Sequence, residues 1–273
     1  MIYDLHTHSN ASDGHLPPDQ LLRYAAEHDV SLLSITDHDT VAAYDLLASP
    51  DLPGVELLPG IELSTTWQKR SIHVLGLNID PANSILRQGI ESQQRARHAR
   101  AKKIAKRLMT LGLDDPYPAV ATMAGSASIG RPHFARHLVE LGKVPDVQSA
   151  FRKYLGAGKL GDVKQGWASL EDVISWINTA GGTAVLAHPA KYKFTMTKLR
   201  AMLEEFKDAG GRGIEVVCGQ QEVNVTRRLA EIANDFELLA SSGSDFHHPA
   251  NSWSRPGRFS SLPDNVTPVW DAW

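Results

Sequence analysis

The chain has 273 residues, of which 42% are hydrophobic, and a formal net charge of −3. That hydrophobic share supplies a buried core and excludes a disordered chain. The slightly negative charge excludes a global positive field, so any contact with nucleotides has to come from a local basic patch. The single cysteine, Cys218, excludes a disulfide framework and a thiolate zinc site. It lies in the apolar run Ile214-Glu215-Val216-Val217-Cys218 and reads as core packing. Met1 to His6 carries no basic and apolar leader pattern, and no run approaches the ~18 apolar residues that span a bilayer. A cytoplasmic protein without membrane contact is the expectation.

Taken in chain order, short apolar runs predict strands at Ile2 to Leu5, Ser31 to Thr36, Val55 to Leu63 and Ile72 to Leu77. Three more follow at Thr183 to Ala187, Gly213 to Val217 and Leu238 to Ser242. Between them, helices are predicted at Pro18 to His28, Leu170 to Ala180, Thr197 to Ala209 and Glu222 to Phe236. The first opens on Pro17-Pro18-Asp19, and the second follows Ser169 with Glu171-Asp172 in its first turn. Seven strands alternating with helices predict an α/β barrel built on a parallel sheet.

From about Asn83 to Gln165 the strand pattern stops. A long basic helix is predicted from Ile90 to Leu111, then helices at His133 to Leu141 and Val147 to Tyr154, ahead of the glycine-rich Gly156 to Gly161. The expected organisation is a barrel from 1–82 and 166–273, with 83–165 a helical insertion serving as a substrate-binding cap. Arg95, Arg97, Arg100, Lys102, Lys103, Lys106 and Arg107 read as a solvated face of the long helix or as a field steering a phosphorylated substrate.

Chemistry is concentrated at strand ends. In Asp4-Leu5-His6-Thr7-His8-Ser9 the two histidines are two residues apart, so both point to one side of a strand and can converge on one ion. Asp13-Gly14 follows, then Asp37-His38-Asp39, Glu62, His73, His188-Pro189 and Asp245-Phe246-His247. In a parallel barrel the strand ends meet on one face. Imidazoles and carboxylates gathered there suit several divalent ions of the zinc, manganese or iron kind.

This set resembles the polymerase-and-histidinol-phosphatase (PHP) superfamily, and it runs from Asp4 to His247. The resemblance implies a distorted (β/α)7 barrel holding up to three divalent ions, with manganese expected and zinc or iron as alternatives. It implies that His6, His8, Glu62 and Asp245 hold the first ion, Glu62, His73 and His188 the second, and Asp13, His38 and His247 the third. Glu62 would then bridge two ions, and a hydroxide shared by them would attack phosphorus. Asp37 and Asp39, flanking His38, are expected to orient ligands from behind.

Asp13-Gly14 together with Ile129-Gly130-Arg131-Pro132-His133 is similar to a narrower group, which acts on 3′,5′-bisphosphonucleotides and on short RNA from its 5′ end. Arg131 and His133 are the candidate anchors for a second phosphate, presented at a helix start. Lys159, Lys164 and Lys191 are further candidates, and Trp167 is a candidate stacking face. The expected partners are a small nucleotide or short RNA, with no stable duplex binding, no membrane and no inferable protein partner. A histidinol-phosphate phosphatase shares the barrel, but the Gly130 to His133 motif speaks against it. A silent regulatory domain would lack several of the nine ligand positions, which are all filled.

Overall fold

The computed structural model describes residues 1–47, 54–163, 166–250 and 254–273, so Lys164 and Trp253 lie outside the described residues. Seven strands form one sheet in the order of the chain: β1 (Ile2–Thr7), β2 (Val30–Ile35), β3 (Glu56–Trp67), β4 (Arg70–Leu77), β5 (Thr183–Leu186), β6 (Gly213–Cys218) and β7 (Leu239–Gly243). The sheet nearly closes on itself. The Asp245 N–H donates to His6 O at 2.8 Å, and the His8 N–H donates to Phe246 O at 2.9 Å. Asp4, fully buried, adds a seam by accepting from the Ser244 and Gly257 N–H groups at 2.8 and 2.9 Å.

The parallel expectation needs correction at the middle of the sheet. β1, β2 and β3 run parallel, as do β5, β6 and β7, but β4 is antiparallel to both of its neighbours. A two-residue turn at Gln68 and Lys69 joins β3 to β4, with φ of 45° and 63°. These are the left-handed angles of a hairpin turn, adopted without the Asn-Gly that announces one. Reversing β4 puts His73, early in that strand, level with Ser64 on β3. Glu62 and His73 therefore reach the same end of the barrel.

The barrel is flanked by α1 (Pro18–Ala26), the short α2 (Ala42–Leu46), and, within the long excursion, α3 (Ser84–Met109), α4 (Tyr117–Ala124), α5 (Arg131–Glu140) and α6 (Val147–Ala150). After it come α7 (Leu170–Thr179), α8 (Met196–Asp208) and α9 (Val223–Asp235). Local chemistry sets several of their ends. Asn83 and Ser169 cap α3 and α7 by accepting backbone N–H bonds, and Pro18 opens α1 with its φ already helical. The sequence pattern misses α2 and α4 and starts α3 six residues late.

Inward positions alternate along the strands, so Leu58, Leu75, Leu77 and Val185 join Leu5 and Val269 in one buried cluster. The outer faces of the strands pack on α7, α8 and α9 through Ile61, Val74, Ile177, Phe206 and Ile214. A separate cluster of Ile104, Leu108, Val120, Phe134 and Leu138 lies among α3, α4 and α5. The first turns of α3 instead join the barrel through Leu86 and Ile90, and Gly89 lets the Trp176 ring lie against the helix where a Cβ would collide. The tail is fixed by Trp270, edge-on to Tyr3 at 4.8 Å, and by Trp273, which donates to Thr183 at 3.2 Å.

Candidate metal centre

Glu62 sits mid-strand on β3, fully buried, with its two oxygens turned toward different neighbours. Oε1 meets His73 Nδ1 at 2.8 Å and His188 Nε2 at 2.9 Å. Oε2 faces His6 Nε2 at 3.4 Å, His8 Nε2 at 3.3 Å and His38 Nδ1 at 3.0 Å. Asp245 Oδ1 lies 3.5 Å from His6 Nε2 and 3.3 Å from His8 Nε2. On the far side of His8, Asp13 lies 3.6 Å from His38 and 3.4 Å from His247. All nine candidate ligands thus meet at one mouth of the barrel. They fall into overlapping groups whose donor atoms lie within 4.8 Å of each other, among them His6-His8-Asp245, His38-Glu62-His73 and His8-Asp13-His38-His247.

The donor set fits divalent ions. His6 Nε2, both ring nitrogens of His8, His38 Nδ1 and Glu62 Oε2 are buried without a hydrogen-bond partner. Unpaired buried polar atoms are costly singly, and five of them on the two sides of His8 would be prohibitive unless cations occupy the spaces they face. Burial holds His8, His73 and His188 below the usual imidazole range, His73 at about 4, which favours the neutral ligand form. Burial alone would raise Asp13 and Glu62, but the surrounding histidines hold both well below the usual carboxylate range. His6 is the exception. Burial opposes its charge, yet Glu215 and Glu62 lift it well above the ordinary value, so an ion binding there must displace a proton.

Glu215, inward on β6, is the residue that sequence reasoning missed. It is fully buried and accepts from His6 Nδ1 at 2.9 Å and from the His188 N–H at 2.5 Å. The first bond fixes the tautomer that turns His6 Nε2 inward. The signal was available: a carboxylate inside the apolar run Ile214 to Cys218 needs a buried partner. Cys218 ends that strand with its thiol pushed up to about 12 by burial and by Glu215.

Asp37 and Asp39 do not orient imidazoles, which corrects that expectation. Asp37 points back into the loop after β1, where Ser9 and Ser12 hydroxyls donate to it at 2.5 Å. Burial pushes it up to about 6. Gly14 closes the same loop, because a Cβ there would run into the His8 carbonyl. Asp39, with φ of 52°, accepts from Arg97 Nε at 2.6 Å, Gln93 Nε2 at 3.1 Å and the Ser64 N–H at 2.7 Å. Its own N–H donates to Glu62 O at 2.8 Å. Arg97 is therefore no solvated cation but a buried strut from α3 to the His38 loop. It also donates to Ile129 O at 3.3 Å and lies 5.5 Å from the Trp167 ring.

A cleft of about 590 Å³ opens beside the cluster, bounded by His73, Lys191 and Tyr192 on one side and by Arg100 and Arg131, from the helices between β4 and β5, with Trp167 on the other. Lys191 ion-pairs with Asp245. Arg131, the first residue of α5, lines the cleft while donating to Leu155 O at 3.1 Å. His133 does not line it. Its ring is buried and accepts the Gly130 N–H at 3.2 Å, capping α5, so the placement corrects its expected role as a phosphate anchor. Lys159 is exposed and outside the cleft.

No family model matches the sequence. Over 276 residues the chain is 41% identical to the 5′-3′ exoribonuclease Rnm of Salmonella typhimurium, covering 100% of this chain and 94% of that one. It is 39% identical to the 3′,5′-nucleoside bisphosphate phosphatase of Chromobacterium violaceum, covering 98% and 94%. Among solved structures, an amidohydrolase from C. violaceum with bound sulfate superposes with a TM-score of 0.92 at 38% identity, covering 100% of this chain and 95% of that one. A metal-dependent phosphoesterase from Bifidobacterium adolescentis gives 0.81 at 27%, covering 99% and 93%. Fold and site together define a metal-dependent phosphoesterase of the PHP type. Within that class, the chain belongs to the family of these exoribonucleases and bisphosphate phosphatases.

Proposed function

We propose that the chain hydrolyses the phosphomonoester of 3′,5′-bisphosphonucleotides and acts on short 5′-phosphorylated RNA, using up to three divalent ions, manganese foremost, in the cytoplasm. The observation that carries this is the set of unpaired buried ligand atoms around Glu62, opening onto a cleft with a second cationic anchor. His6, His8, Glu62 and Asp245 would hold one ion, Glu62, His73 and His188 another, and Asp13, His38 and His247 a third. Ions so placed supply the charge neutralisation and water activation that attack on a phosphate ester requires.

The chain's own groups do the remainder. Glu62 offers one oxygen to each side and so fixes the spacing of the cluster. Glu215 keeps a proton on His6 Nδ1 and leaves Nε2 free to bind. Lys191 holds its ammonium against Asp245 at the mouth of the cleft, next to where a phosphoryl group would enter. Arg131 presents a guanidinium to a second phosphate across the cleft, which favours bisphosphates over monophosphates. The net charge of −3 and the recessed site favour single nucleotides and strand ends over duplexes.

Phosphate release from adenosine 3′,5′-bisphosphate, AMP and histidinol phosphate by manganese-loaded protein tests the reading. Turnover should be greatest on the bisphosphate. Rapid turnover of histidinol phosphate with none on the bisphosphate would overturn it.

A further inference from the structure

The cleft has two cationic walls, and the proposed bisphosphate substrate uses only one. Its lining carries five cationic side chains, Lys69, Arg70, Arg100, Arg131 and Lys191, against one acid, Asp162. Arg100 and Arg131 belong to the insertion and stand near Asp162, whose charge acts on both. Lys191 is paired with Asp245. Lys69 and Arg70 stand apart from these, on the exposed tip of the β3–β4 hairpin at the barrel edge of the cleft. A substrate with two phosphates, one at the metal centre and one at Arg131, leaves this tip without an anion.

Two features set the tip apart from an ordinary solvated charge. First, Gln68 and Lys69 both occupy left-handed backbone, where Asn-Gly would sit at lower cost. The turn keeps long polar and cationic side chains in spite of that strain, and strain of this kind gathers at ligand-binding positions. Second, Arg70 is held in place, since its guanidinium lies 5.6 Å from the centre of the Phe194 ring, and both residues line the cleft. A guanidinium packed on an aromatic face loses less freedom when it binds an anion than a free one does.

We infer that the hairpin tip, Lys69 and Arg70, binds the phosphodiester of the next nucleotide in an RNA chain, so that this edge of the cleft distinguishes oligonucleotides from mononucleotides. The inference rests on the proposed nucleotide phosphoesterase function. It adds a second subsite, whose ligand is an internal phosphodiester of single-stranded RNA. A free bisphosphate nucleotide carries no such group and gains nothing from the tip.

The test compares wild type, Lys69→Gln/Arg70→Gln and the charge-keeping Lys69→Arg/Arg70→Lys on adenosine 3′,5′-bisphosphate and on a 5′-phosphorylated pentaribonucleotide. The neutral variant should raise KM for the pentamer by roughly ten-fold and leave the bisphosphate within two-fold. Each cation lost should also flatten the salt dependence of pentamer binding by about 0.7 in log–log slope. The charge-keeping variant should restore most of the pentamer binding. Fluorescence anisotropy of a labelled pentamer on the full-length His6→Ala chain gives the same comparison without turnover. Equal losses on both substrates, or none on the pentamer, would overturn the subsite. If wild type binds the pentamer through this tip but hydrolyses neither substrate, the catalytic reading fails and the subsite stands.

Discussion

Replacing Arg97 with methionine tests whether the insertion is braced against the metal loop by a buried charge. Asp39 and Arg97 are nearly inaccessible, and Arg97 is the cation in direct contact with Asp39. Removing one partner of a buried ion pair costs about 3–5 kcal/mol, because the other charge is left uncompensated. A 273-residue chain has an unfolding entropy of about 0.6 kcal/mol/K, so Tm should fall by about 5–9 °C. Differential scanning calorimetry on chelator-treated protein measures this without a contribution from ion release. Adding Asp39→Asn should return much of the loss, since the amide no longer buries a charge and still accepts the Ser64 N–H. The pH dependence has a definite sign. Burial pushes Asp39 up, but Arg97 and the Ser64 N–H hold it below the ordinary value, so its contribution is present above about pH 4 and is lost on further acidification. In the variant burial prevails and the pKa rises, so the penalty is full at pH 7.5 and shrinks toward pH 5. An unchanged Tm, or a double variant as unstable as the single one, would refute the brace.

Other outcomes follow from the site. Glu215→Leu should weaken manganese binding by about 10–100-fold in isothermal titration, with Glu215→Gln intermediate, because His6 loses the acceptor that fixes its tautomer. Manganese added to chelated protein at a hundred times its Kd should contribute about 2.7 kcal/mol, visible as a Tm rise of about 5 °C. Arg131→Ala should raise KM for the bisphosphate while leaving kcat and the AMP reaction nearly unchanged in steady-state assays. Gly14→Ala should lower the bound manganese per chain, measured by atomic absorption, as the Asp13 loop is forced off His8.

The strand pattern and the nine ligand candidates were legible because apolar runs end where chemistry begins, and the structure gathers every one of those nine side chains. The direction of β4 was not, because alternation along a strand is the same in parallel and antiparallel pairing. The buried face of α3 was hidden for a different reason. Leu86, Ile90, Gln93, Arg97, Ala101, Ile104 and Leu108 recur at three- and four-residue steps, all buried, but two of the seven are polar and read as part of a charged surface. Glu215 was concealed by apolar neighbours that made its strand look like plain core. Asp37 and Asp39 were found but misassigned, since adjacency to His38 in sequence says nothing about which way either backbone turns its carboxylate, Asp39 lying in the left-handed region.

The reversed fourth strand also limits how this enzyme can change. Glu62 and His73 are carried by one hairpin, and side chains on a strand switch faces at every step, so a single-residue deletion at Gln68 or Lys69 would send one of them out of the barrel while the other stayed. This turn can exchange its side chains but not its length, which leaves substitution as the one route by which its outer edge can be tuned to a new substrate.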